Sequence, residues 1–159
     1  MTMVKNILFV CLGNICRSPA AEGVFKQKIK DRDLENLFIV DSAGTGGWHV
    51  GNLADPRMRE TALSRGIELT SRSRKIEESD LYKFDHILVM DNDNLSAVRS
   101  LIQDKSHTVH SKIELLLSYS KDSKLEEVPD PYYGGLNGFD KVLDLLDNAI
   151  DGLIDRLIV

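Results

Sequence analysis

Cysteine is scarce in this chain: among 159 residues only Cys11 and Cys16 carry a thiol. Two thiols cannot complete a four-cysteine zinc site, and no paired histidine spacing makes up the shortfall. They are also too far apart in sequence for the Cys-x-x-Cys of a thioredoxin-like redox site. Long hydrophobic runs are missing as well. Ile7-Leu8-Phe9-Val10 falls far below the ~20 residues that span a bilayer, and no small-residue cleavage site follows it, so neither membrane insertion nor a secretory leader is expected. Positive charge is not in excess. A net charge of −5 removes any global footprint for nucleic acid or acidic membranes, so attraction of an anionic substrate must be local. No Gly-Lys-Ser/Thr closes a Walker-type loop, and no Gly-x-Gly-x-x-Gly marks a dinucleotide site. With no export signal and both thiols in one loop, the expected compartment is the reducing cytoplasm.

What is present suits one soluble domain over residues 1–159, with 42% hydrophobic and 28% charged residues and enough length to bury a core without staples. No repeat, low-complexity tract or linker divides it.

The chemistry concentrates in Val10-Cys11-Leu12-Gly13-Asn14-Ile15-Cys16-Arg17-Ser18-Pro19. The apolar run reads as a strand ending at Cys11, followed by a turn through Gly13 and Asn14. A helix is predicted to open with Ser18 as N-cap and Pro19 at its first position. Such a loop gathers backbone N–H groups and a helix N-terminus around one point, where an anion is stabilised. The same field favours a thiolate. A thiolate in a phosphate-sized cradle beside a planar bidentate cation is a phosphoryl-accepting nucleophile. Cys-x5-Arg alone is a weak signal, since free cysteines are mostly core residues; the strand, turn and helix start around it give it weight.

Strands are predicted at residues 4–10, 37–40 and 86–90, with a weaker fourth near Thr108-Val109. Helical spacing joins Ala21, Val24, Phe25 and Ile29, then Leu95, Val98 and Ile102. A long C-terminal stripe runs through Phe139, Val142, Leu143, Leu146, Ile150, Leu153, Ile154 and Leu157. Asp55-Pro56 marks another helix start. The alternation implies a small doubly wound α/β domain whose ligand lies outside the carboxyl ends of the parallel strands, where Cys11, Ser42 and Asp91 would gather. Arg72, Arg74 and Lys75 form a basic cluster that reads first as a solvated face and second as support for the loop.

A thiolate attacking a phosphate ester also needs an acid for the leaving oxygen. In Asp130-Pro131-Tyr132-Tyr133-Gly134, proline and glycine define a turn on which Asp130 is held. Taken alone this segment is an ordinary Asx turn with packed tyrosines; beside the Cys11 loop, Asp130 becomes the candidate acid.

The stretch from Leu8 to Pro19 resembles the signature of the low-molecular-weight protein tyrosine phosphatases. Asp41-Ser42-Ala43-Gly44-Thr45, Trp48, Met90-Asp91 and Asp130-Pro131-Tyr132-Tyr133-Gly134 are similar to that family's other landmarks, in the same order. The resemblance implies a four-stranded parallel sheet in the order 2-1-3-4, with helices on both faces and the phosphate loop after the first strand. It implies hydrolysis of protein phosphotyrosine and small aryl phosphates through a phosphocysteine, without metal or cofactor. Catalysis falls to Cys11, Arg17 and Asp130. The backbone of Leu12, Gly13, Asn14, Ile15, Cys16, Arg17 and Ser18 binds phosphate. Asn14, Ser18 and Ser42 support the loop, and Trp48, His49, Tyr132 and Tyr133 wall the substrate pocket. Phosphotyrosine proteins are the expected partners of a monomer, with weak self-association left open. Many relatives carry a histidine near position 71 that supports the loop serine; this chain has Ser71.

Two other readings stand beside this one. An arsenate reductase of the same fold uses Cys-x5-Arg, but its thioredoxin-coupled form needs cysteines beyond the loop. A phosphopeptide-binding module or a thiol redox sensor needs no acid such as Asp130. The closeness of the two thiols also predicts redox sensitivity through a Cys11–Cys16 disulfide.

Overall fold

The computed structural model describes residues 4–102, 109–122, 124–131 and 137–159. Strand β1 (Lys5–Cys11) leads to helix α1 (Arg17–Asp31) and then to β2 (Phe38–Gly44). Helices α2 (Pro56–Leu63) and α3 (Asp80–Lys83) precede β3 (His86–Val89). After α4 (Asn92–Arg99) come β4 (Lys112–Leu115) and α5 (Asn137–Leu157). The four strands form one sheet in the order β2-β1-β3-β4, every pairing parallel. This is the predicted doubly wound α/β sheet.

Period-two alternation in β1 divides the core. Ile7, Phe9 and Cys11 face one side, where α1 and α5 cover them. Leu8 and Val10 face the other, packed with Leu81, Phe84 and Val98 from α3 and its exit and from α4. The predicted stripe of α5 is buried along its length. Each such Leu or Ile contributes about 1.5–3 kcal/mol over its exposed state. Ala21, Val24, Phe25 and Ile29 of α1 are likewise buried, which fixes the helix whose N-terminus meets the loop. Asp55 caps α2 by accepting from the Arg57 N–H at 2.8 Å, with Pro56 next, as predicted.

Three local expectations are corrected. Strand β2 extends through Asp41 and Ser42 to Gly44, because it pairs with β1 all the way to Cys11. The fourth strand is Lys112–Leu115 rather than a segment at Val109; Thr108 lies outside the described residues. As an edge strand, β4 carries Lys112 and Glu114 and lacks the continuous apolar run of a central parallel strand. Helix α1 starts at Arg17, so Ser18 sits inside its first turn. Pro19 is equally tolerated there, since the first N–H groups of a helix have no intrahelical partner.

Candidate active site

Five carbonyls of the phosphate loop are taken up by donors of the surrounding structure. Cys11 O accepts from Thr45 N (2.9 Å), Leu12 O from Gly46 N (2.8 Å), Ile15 O from Asp55 N (2.7 Å) and Cys16 O from Ala20 N (3.2 Å). Gly13 O accepts from the Ser73 hydroxyl at 3.0 Å. A trans peptide sets N–H opposite C=O, so the amides of Leu12, Gly13, Asn14, Cys16 and Arg17 point the other way. That orientation makes an anion cradle from backbone alone. Close approach makes it possible: a Cβ on Gly44 would fall 2.9 Å from Leu12 O and 3.0 Å from Asn14 N.

Asn14 adopts the left-handed conformation, φ 55°, which asparagine tolerates better than most side chains. Its side chain pins the turn. Nδ2 donates to Ser18 Oγ (2.7 Å) and Ser42 Oγ (3.0 Å), and Oδ1 accepts from Arg74 N (3.0 Å). Ser18 is therefore no N-cap. Its hydroxyl lies 3.0 Å from Cys11 Sγ and 3.3 Å from Ala43 O, and Cys16, the residue at the cap position, makes no side-chain cap bond.

Arg17 is 2% exposed. Its Nη1 donates to Asp91 Oδ2 at 2.7 Å and to Val128 O at 2.9 Å, and Nη2 lies 3.6 Å from Asp130 Oδ2. Burial alone would weaken the guanidinium's hold on its proton; Cys11, Asp91 and Asp130 more than offset that, and the group is held as a cation. The two cysteines differ sharply. Burial, reinforced by Asp55, Cys11 and Asp130, pushes the Cys16 thiol far up, whereas Cys11 has the hydroxyl partner.

Cys11, Leu12, Gly13, Ile15, Cys16, Arg17, Trp48, His49 and Asp130 line a single cavity of about 420 Å³. Trp48 stands at its rim, 71% exposed. Its indole lies over Gly46, where a Cβ would fall 1.9 Å from the ring. The His49 ring lies against Gly13, 3.1 Å from where a Cβ would project. Asn14, Ser18 and Ser42 are buried behind the loop. Tyr132 and Tyr133 lie outside the described residues.

Several supports escaped the sequence reading. Ser73 holds the Gly13 carbonyl. Asp91 anchors Arg17 while its other oxygen caps α4 through Asn94 N at 2.7 Å. The basic cluster, whose second reading was support for the loop, reaches it at Arg74, through the backbone N–H and not the charge; the guanidinium binds Asp41 and Asp80. Glu22 is buried beside Ser42. The only sequence signal for that carboxylate was its place on the apolar face of α1.

The family model described as low molecular weight phosphotyrosine protein phosphatase matches residues 6–158. The chain belongs to this family. A putative low molecular weight protein-tyrosine-phosphatase of Synechocystis is 44% identical over 152 residues, covering 96% of each chain. The human low molecular weight phosphotyrosine protein phosphatase is 41% identical, over 87% of this chain and 86% of its own. Among solved structures, the protein tyrosine phosphatase of Entamoeba histolytica superposes with a TM-score of 0.90 at 45% identity, covering 96% of each chain; that crystal holds Hepes in its active site. In this member of the low-molecular-weight phosphatase family position 71 is Ser71; Ser18 is held by Asn14 Nδ2 and lies 3.3 Å from Ala43 O, and Ser73 holds the Gly13 carbonyl. Among the described residues, no helix is long and apolar enough to cross a membrane.

Proposed function

We propose that the protein hydrolyses phosphotyrosine in proteins, and small aryl phosphate monoesters, through a phosphocysteine on Cys11. One observation carries the reading: the Cys11 sulfur lies 3.0 Å from a hydroxyl, in a cavity that also receives Arg17 and Asp130. The names of its relatives support phosphotyrosine as the substrate.

In the first step the Cys11 thiolate attacks phosphorus in line. The S–P bond forms and the P–O bond breaks, and the departing phenolic oxygen takes the Asp130 proton. The inward loop amides hold the non-bridging oxygens. Because Arg17 Nη1 is committed to Asp91 and Val128, the bidentate contact falls to the remaining edge of the guanidinium. This contact strengthens as charge spreads over the transferring phosphoryl group. In the second step Asp130 takes a proton from water, the water oxygen bonds phosphorus, and the S–P electron pair returns to Cys11. Ser18 donates its hydroxyl to that sulfur. Trp48 and His49 flank the entering ring, and a phenyl ring spans the depth from rim to cradle better than a shorter serine ester. In this reading the enzyme acts as a monomer in reducing cytoplasm, where Cys11 stays a thiol.

Phosphate release from a phosphotyrosyl peptide, with acid quenching to trap phosphocysteine, tests the proposal. Wild type should form the intermediate and Cys11→Ser should form none. Phosphate release by Cys11→Ser at the wild-type rate would overturn the reading.

A further inference from the structure

Glu22 is a charged side chain 4% exposed on the buried face of α1, one turn beyond Ser18. The phosphoryl-transfer steps do not use it. Its two oxygens have separate partners: Oε2 takes the half-exposed Lys26 ammonium at 2.6 Å, and Oε1 accepts from Ser42 Oγ at 2.6 Å.

A carboxylate only accepts, and a hydroxyl has one proton to give. The Ser42 proton is therefore committed to Glu22, and a lone pair of Ser42 Oγ is left to face Asn14 Nδ2 at 3.0 Å. The other end of the amide agrees, because Asn14 Oδ1 accepts from Arg74 N. Nδ2 thus donates to both serines. Ser18 Oγ, accepting at 2.7 Å, keeps its own proton for Cys11 Sγ at 3.0 Å or Ala43 O at 3.3 Å. The donors diverge from Asn14, toward Glu22 through Ser42 and toward the sulfur through Ser18, and a thiolate is the stronger acceptor of the last two.

We propose that Glu22 is a positioning residue: by capturing the Ser42 proton it sets the direction of the Ser42–Asn14–Ser18 chain, so that Ser18 donates to Cys11. The proposal rests on Cys11 being the nucleophile. Without an acceptor at Glu22, the Ser42 hydroxyl is a buried orphan donor. Turning the Asn14 amide over relieves it, because Oδ1 then faces both serines. That same turn draws the Ser18 proton to Asn14 and away from sulfur. The turned amide would also set Nδ2 against the Arg74 N–H; Glu22 adds to that barrier by removing the orphan donor that would drive the turn.

The two chemical steps feel the loss differently. Attack consumes charge on sulfur, whereas phosphocysteine hydrolysis returns an electron pair to it, so the Ser18 bond matters more in hydrolysis. Glu22→Met, which keeps length and loses the acceptor, should lower kcat on p-nitrophenyl phosphate by about tenfold to a hundredfold, the range set by one charge-assisted hydrogen bond. KM should fall with kcat, and a stopped-flow burst near one equivalent of p-nitrophenol should report accumulated phosphocysteine. Glu22→Gln retains an acceptor and should stay near wild type. Adding Ser42→Ala to Glu22→Met removes the orphan donor and should restore much of kcat. In a Ser18→Ala background, Glu22→Met should change kcat no further.

Unchanged kcat in a folded Glu22→Met protein overturns the proposal. So does a loss with raised KM and no burst, or a Glu22→Gln protein as impaired as Glu22→Met. Glu22→Ala, with less bulk, supplies the same comparison if Glu22→Met does not fold. An active Cys11→Ser protein rejects the site itself, whereas an inactive Cys11→Ser beside a normal Glu22→Met rejects only the role of Glu22.

Discussion

Asp91 holds Arg17 at 2.7 Å, from a loop that follows β3 onto a helix that follows β1. The contact ties the guanidinium to the scaffold on the side away from the phosphate cradle. Asp91→Asn keeps a carbonyl oxygen for Arg17 or for the Asn94 cap and loses the charge. It should cost roughly tenfold in kcat/KM, from weakening one charge-assisted bond, with little change in melting temperature. Asp91→Ala should do both kinds of damage, since it also uncaps α4, at about 1 kcal/mol of stability. Thermal melts run beside steady-state kinetics separate the two effects; equal melting temperatures for wild type and Asp91→Ala would remove the capping role.

Arg17 itself should tolerate no substitute. Arg17→Ala should nearly abolish aryl phosphate hydrolysis, and Arg17→Lys should rescue it poorly. An ammonium cannot hold Asp91 and Val128 O at one edge and two phosphate oxygens at the other. Near-normal turnover by a folded Arg17→Lys protein would remove the bidentate clamp from the mechanism.

Asp130 should matter in proportion to the basicity of the leaving group. Asp130→Ala should slow esters of ordinary phenols far more than esters of very acidic phenols, whose phenoxides leave with little protonation. A leaving-group series, read at the phosphorylation step, measures the slope. Equal losses across the series would reassign Asp130 to partnering Arg17 at 3.6 Å.

The two loop thiols lead to a redox prediction with a pH sign. Peroxide should oxidise the Cys11 thiolate to a sulfenic acid, and Cys16 should displace water from it to give a disulfide. Burial, then Asp55, hold the Cys16 proton far more tightly than in a free thiol. Since the attacking species is the thiolate, disulfide formation should keep accelerating with pH beyond the point where a free cysteine would level off, at about 8.5. Cys16→Ser should form no internal disulfide and regain less activity with reductant. Peptide mapping against pH checks both statements.

Legibility followed burial pattern. The run before Cys11 and the stripe of α5 could be read because a central parallel strand and a core helix both require continuous or periodic apolar residues. Strand β4 could not, since Lys112-Ile113-Glu114-Leu115 is an edge strand with charges on its solvent side. Cys11, Arg17 and Asp130 were legible from residue type, because nucleophile, fork and acid each need particular chemistry. Of the supports, Asn14, Ser18 and Ser42 were expected and lie together behind the loop, whereas the routes through Arg74 and Glu22 were not. Arg74 braces Asn14 through a backbone N–H that any non-proline residue would supply, and Glu22, though on the apolar face of α1, has no evident partner until β2 brings Ser42 to it. Only the capping role of Ser18 was misassigned, because a serine before Pro19 suits a cap; its place in the loop support was expected, and the fold sets its hydroxyl beside Cys11 and Asn14.

Gly46 should control the substrate wall without touching substrate. The Trp48 indole occupies the space that a Cβ on Gly46 would need, 1.9 Å from Cζ3 and 2.4 Å from Cε3. Gly46→Ala must therefore move a ring that is otherwise 71% exposed and has little else to fix it. The cradle itself should survive, because the Gly46 N–H still reaches Leu12 O. Gly46→Ala should raise KM for phosphotyrosyl peptides several-fold, by losing part of the roughly 0.5–1.5 kcal/mol that an aromatic pair contributes. Inhibition by inorganic phosphate, which meets only the loop and Arg17, should stay at the wild-type level. Trp48→Ala should reproduce the KM effect, and the two substitutions together should add little to either alone. A weakened phosphate inhibition in Gly46→Ala would show that the substitution disturbs the loop rather than the wall.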